Sequence, residues 1–159
     1  MPPEPDNEGT QGKDAANGEV IDEGRAAQDW RDCHAPSLAD FAALAEQSFA
    51  ALPGDVRALC GAVVFRVEDW ADEDTLASVG VEHPLDLMGL FQGHGFAGVS
   101  DPATGQEPNA VTLYRRAILD YWIEHEDTLD AIVAHVLVHE IGHHFGLSDA
   151  DMELIEARV

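Results

Sequence analysis

The residues of this chain best suited to do chemistry are His139 and His143, with Glu140 between them and Gly146 and Asp149 just beyond. On a helix, positions four apart leave the same face one turn from each other, so both imidazoles can meet one tetrahedral Zn²⁺. Glu140 then stands beside the metal, free to take a proton from an attacking water. A third protein ligand with a fourth position left open marks a catalytic zinc site, because a water there is acidified to a pKa of roughly 7. Asp149 is the candidate third ligand. It has a second reading: Ser148 to Asp151 resembles the start of a short last helix, in which Asp149 would be an acidic first-turn residue favoured by the helix dipole.

A bare His-Glu-x-x-His is expected by chance in roughly one chain of this length in a few hundred. Requiring Gly146 and Asp149 in place lowers that rate by a further factor of about a few hundred, which makes coincidence a poor explanation. Two more histidines flank the pattern. His135 precedes His139 by four residues and could pair with it, but about 12 Å of helix separates it from His143, so those two cannot share an ion. The position of Glu140 favours the downstream pair and leaves His135 as a partly buried or surface histidine. His144 points away from the metal, suited to packing or to a supporting hydrogen bond.

An element must hold these groups, and the spacing predicts one. From Leu129 to Phe145, apolar residues recur at threes and fours, and the same sector runs on into Glu140, His143 and His144, so the metal face is expected on the core side of a helix. Asp127 or Thr128 is the candidate N-cap, and Gly146 falls where a left-handed glycine ends a helix. Upstream, Ser37 caps a helix through Leu38, Phe41, Leu44, Ala45, Phe49 and Leu52 that ends near Pro53-Gly54. Ala58 to Val67 reads as a strand with Cys60 as a small core residue in it, and a weak helical piece follows around Asp74 to Val79. Leu85 to Phe91 reads as a short strand or turn feeding a glycine-rich loop, Gln92 to Gly95, that lacks the setting of a phosphate cradle. Asn109 to Tyr114 reads as a second strand closed by Arg115-Arg116, and a helix carrying Ile118, Leu119, Tyr121, Trp122 and Ile123 precedes the metal helix.

At 159 residues, 45% hydrophobic and 25% charged, the chain has room for one modest core. Residues 1–35 are rich in Pro, Gly, Asn, Asp and Glu without sustained periodicity and are expected to form a disordered acidic tail, with the domain over 36–159. No secretory leader or run of about 18 apolar residues is visible, so a cytoplasmic location is expected. A net charge of −23 argues against nucleic acid and anionic membrane surfaces as partners. Cys33 and Cys60 lack metal-binding spacing.

Leu90 to Gly93, Val111 to Leu119, and above all His139 to Asp149 together resemble the small bacterial zincin-like metallopeptidases, or minimal zincins, over roughly Ser37 to Ile155. The resemblance implies an α+β fold, a small mixed sheet packed on an active-site helix with flanking helices. It also implies one Zn²⁺ bound by His139, His143 and Asp149, with Glu140 as general base. The glycine and third-ligand spacing is similar to metzincins too, but Asp149 replaces their third histidine and Met152 is too close for their methionine turn.

The expected function is zinc-dependent hydrolysis of peptide bonds in a peptide or protein substrate, as an endopeptidase. The Asn109–Tyr114 strand is either an interior strand or one that pairs with an extended substrate along the cleft. Tyr114 or Arg115 is a candidate oxyanion donor, although Arg115 and Arg116 serve more simply as a solvated pair or as partners of acids. The rival reading is a zinc-stabilised binding or regulatory protein that keeps an enzyme-like site without turnover. The presence of Glu140 beside an open position speaks for the enzyme.

Overall fold

A computed structural model describes residues 29–93 and 108–158. The chain divides into two units, Met1–His34 and Ala35–Val159. Of the first, the described part holds one exposed pair, Arg31 Nη2 to Asp29 Oδ2 at 2.7 Å. Of the tail expected over 1–35, residues 1–28 lie outside the described residues, as do the loop residues His94 and Gly95.

The second unit begins with α1, Leu38–Ala51. Its start is fixed locally: Ser37 Oγ accepts from Asp40 N–H, and Asp40 returns the bond by accepting from Ser37 N–H at 2.7 Å. This reciprocal box satisfies two donors that the first turn leaves without partners. Pro53 then ends the run, and α2 follows at Gly54–Cys60. The strand expected from Ala58 starts later, at β1, Val63–Glu68. Val56 and Cys60 are one helical turn apart and both buried, and Gly61 at φ 63° reverses the chain, so the β-branched run takes extended form only beyond it. Cys60 is therefore a helix-terminal residue, and burial pushes its thiol up to about 11.

After α3, Glu73–Val79, and a 3₁₀ turn at Pro84–Asp86 come β2, Gly89–Gln92, and β3, Asn109–Tyr114. The strands form one mixed sheet in the order β1-β3-β2, with β1 parallel and β2 antiparallel to β3. Both edges of β3 are thus paired, which rules out the sequence expectation that this strand could take a substrate strand alongside. The sheet edge beside the helix that bears His139 belongs to β2.

Successive residues of β3 face opposite sides. Val111 and Leu113 join the main core with Phe41, Leu52, Ile118, Val133, Leu137, Ile141 and Met152. Tyr114 lies in a smaller cluster with Ala71, Leu76 and Ala117. The chain turns from β3 directly into α4, Arg115–Glu124. Arg115 does not project freely: its guanidinium bonds Pro36 O at 2.6 Å and Asp69 Oδ1 at 3.0 Å. Arg116 sits 3.6 Å from the same carboxylate and over the Trp70 ring. Both arginines are acid partners, as the simpler sequence reading had it.

α5, Leu129–Phe145, packs against α1, α4 and β2, and α6, Asp149–Glu156, packs back on α5. The whole is an α+β fold with a three-stranded mixed sheet laid against the long helix α5 and flanked by other helices. No helix among the described residues is long and apolar enough to cross a membrane.

Candidate metal centre and active site

α5 starts where Thr128 Oγ1 accepts from Ala131 N–H and ends in a left-handed Gly146 at φ 69°. There Leu147 N–H reaches back to Gly142 O at 2.8 Å, and Gly146 N–H to His143 O at 3.3 Å, a Schellman closure that only glycine enters cheaply. Two residues later Ser148 caps α6. Its hydroxyl accepts from Asp151 N–H, and Asp151 accepts from Ser148 N–H at 3.1 Å. The capping partner is therefore Asp151, and Asp149 is left as an exposed first-turn residue without a capping bond of its own.

Along α5, Ile132, Val133, Val136 and Leu137 are buried, His139 and Glu140 are half-buried, and His143 is exposed. The metal sector thus lies inside at its start and emerges at its end, rather than facing the core throughout as the periodicity suggests. His139 and His143 share that sector with ring centroids 5.8 Å apart, near enough for both to touch an ion at the usual 2.0–2.1 Å or so from each nitrogen. Burial and the neighbouring imidazoles His135 and His143 hold the His139 pKa below the usual value, against the opposing charges of Glu156 and Asp149. An imidazole kept neutral is in the form that ligates a metal. His143 and Asp149 both act on the charge of His139, and two imidazoles with a carboxylate are a donor set suited to zinc.

Glu140 points to the sheet. Its carboxylate accepts a hydrogen bond from Phe91 N–H of β2 at 3.3 Å. Burial pushes its pKa above the ordinary value, while the Phe91 bond and the charge of His143 pull the other way. The approach of β2 to α5 depends on Gly89, which is buried directly against the helix: a Cβ there would stand 2.7 Å from Val136 Cγ1 and 3.2 Å from Glu140 Cγ. Gly89→Ala is expected to push β2 away from α5, with a loss of about 1–3 kcal/mol from overpacking. Urea unfolding of the two proteins checks this, and an unchanged midpoint would show that the strand has room to spare.

The flanking histidines divide. His144 turns away from the other two, as expected, and stacks on Phe91 with centroids 4.2 Å apart; its Nε2 is buried without a hydrogen-bond partner. His135 lies against His139, centroids 4.1 Å apart, and its Nδ1 is 2.7 Å from Glu156 Oε1. That same oxygen is 3.4 Å from His139 Nε2. Among the described residues, His135, His139 and Glu156 are the group whose ligand atoms all lie within 4.8 Å of one another; His139, His143 and Asp149 are not drawn that close. Glu156 was absent from the sequence reading. A signal for it existed, since Asp149 and Glu156 are seven apart on α6 and so lie on one face, two turns from each other. Tyr114 is buried, and its hydroxyl pKa is pushed up mainly by that burial.

A cavity of about 670 Å³ opens beside α5 on the His135 side, lined by Leu44, Tyr121, Asp130, His135, Val138 and Glu156 among others. Glu140 is not among the residues that line it.

The model of one protein family, described as zincin-like metallopeptidase, matches residues 60–159, a stretch from the end of α2 that includes the sheet, α5 and α6. A comparison with curated proteins finds no match.

Proposed function

The chain belongs to the zincin-like metallopeptidase family, and from that premise we propose that it is an endopeptidase. In this reading His139, His143 and Asp149 hold one zinc ion and Glu140 is the general base. The supporting observation is the placement of Glu140: one residue from His139, half-buried, and aimed by the Phe91 N–H. A carboxylate fixed beside two candidate ligands is of no use to a purely structural zinc site.

Bound zinc would act as a Lewis acid, polarising the scissile carbonyl and acidifying the attacking water. Glu140 accepts the proton of that water and later delivers it to the leaving amine, a transfer that its raised proton affinity favours. His139 and His143 hold their rings on one helix face, so their relative position costs no ordering when substrate arrives. The substrate side is the outer edge of β2. The Phe91 N–H points away from β3 and is taken by Glu140, and by the alternation of the ladder the Phe91 carbonyl and the main-chain groups of Gly89 also turn outward. An extended peptide adding to that edge would be held mainly through its backbone, with modest selectivity for side chains.

The test is mass-spectrometric cleavage of a diverse peptide library by zinc-loaded protein, with a chelator-treated sample and the same sample after zinc is restored. Products that vanish with chelation and return with zinc are expected. Background-level products from protein that carries one zinc per chain would overturn the peptidase and favour the zinc-stabilised binding protein, a reading to which the cavity on the His135 side lends some support.

A further inference from the structure

His139 is the middle rung of a ladder. His135, His139 and His143 follow one another at one helical turn, about 6 Å per step along α5. Opposite them, α6 offers Asp149 and Glu156 from one face, with Met152 between them packed against Gly142. That contact sets the register of the two helices: the start of α6 lies by the end of α5, and its end lies by His135.

The upper half of the ladder is a donor set in its own right. Glu156 Oε1 stands 2.7 Å from His135 Nδ1 and 3.4 Å from His139 Nε2. It is buried, yet no donor meets it in hydrogen-bond geometry. A buried carboxylate oxygen without a satisfying hydrogen bond is costly, and a cation removes the cost. Small side-chain rotations would bring the three atoms to the separations that bonds of about 2.0–2.2 Å require. His135 is half exposed, and the adjoining cavity opens onto His135 and Glu156, so water or a further ligand can complete the coordination.

We propose that His135, His139 and Glu156 form a second site for a zinc-type divalent cation, which shares His139 with the site beside Glu140. The shared atom is His139 Nε2, so an ion in the upper set withdraws that ligand from the lower one. The two sites are therefore alternatives. Glu140 is turned toward β2, away from the upper set, so an ion held there lacks a base. The competition for His139 rests on the peptidase reading's assignment of the lower ligands, whereas the upper site does not.

The experiment is metal binding by the full chain, followed by calorimetric zinc titration and by the visible spectrum of bound Co²⁺. In His143→Ala and, separately, Asp149→Asn, both substituted side chains are exposed, and the upper set is intact. Each variant is expected to bind one zinc per chain and to give a cobalt spectrum of nitrogen and oxygen ligation. Adding Glu156→Gln or His135→Ala to either is expected to weaken zinc binding by about tenfold or more, with thermal melts in chelator confirming that all six variants fold. Loss of zinc binding in both single variants, or binding indifferent to Glu156→Gln and His135→Ala, would overturn the upper site. Neither readout involves hydrolysis, so a protein that fails to cleave peptides can still pass this test, and an active peptidase can fail it.

Discussion

Glu140→Gln is expected to lower kcat/KM for peptide hydrolysis by about 10²–10⁴, the usual contribution of a positioned general base, while zinc content and thermal stability stay as in the parent. Glutamine has the same shape and keeps an oxygen that can accept from Phe91 N–H, so the bond that ties α5 to β2 at 3.3 Å survives. What is lost is the ability to take a proton. Glu140→Ala would remove both the base and the bond, and would mix a catalytic effect with a structural one. Steady-state kinetics on a peptide found by library cleavage, with zinc measured by mass spectrometry, separates the two. Activity within about threefold of the parent would assign the proton transfer to another group.

The second large effect is expected from an apolar contact between two helices. Gly142 lies on α5 one residue before His143, and a Cβ built there would stand 2.7 Å from Met152 Cγ and closer still to Met152 Sδ. Met152 is fully buried, so its side chain has no solvent to swing into. Gly142→Val must therefore lift α6 or distort α5, at a cost of about 1–3 kcal/mol and roughly 3–5 °C in Tm per kcal/mol for a domain of this size. Lifting α6 also moves Asp149 and Glu156 away from the histidines, so zinc affinity should fall with stability. Met152→Ala removes the clash, and the double variant should recover part of both losses, a coupling that distant sites do not show. Simple additivity of the two changes would mean that the helices do not meet at Gly142.

The parts of this molecule that could be read from the chain are those governed by neighbours in sequence. The Ser37 cap, Thr128 of the two caps offered for α5, and the left-handed Gly146 each depend on a few adjacent residues and each stands in the structure where the pattern puts it, and His139 and His143 share a helix face as their spacing of four requires. The misreading at Cys60 has the same origin: Ala58 to Val67 looks continuous because nothing in its composition says that Gly61 takes a positive φ. What escaped entirely is non-local. Phe91 reaches Glu140 across 49 positions of chain, and the pairing of β3 on both sides depends on which strands meet. Glu156 stands beside His135 and His139 only because Met152 fits the notch at Gly142.

The proposed metal ligands, from His135 to Glu156, belong to a single helix–turn–helix, α5 closed by Gly146 and Leu147 onto α6. The wall that would grip a substrate belongs to a remote strand, β2, and touches that hairpin through Gly89 and Phe91. On the proposed reading, coordination and recognition are carried on separable pieces of chain. The hairpin can be regarded as a cassette that brings its own ligands and the two glycines that shape it. Grafted beneath a different edge strand, it should retain its affinity for zinc and acquire a new substrate preference, which makes the β2 edge the place to begin in redirecting this protein.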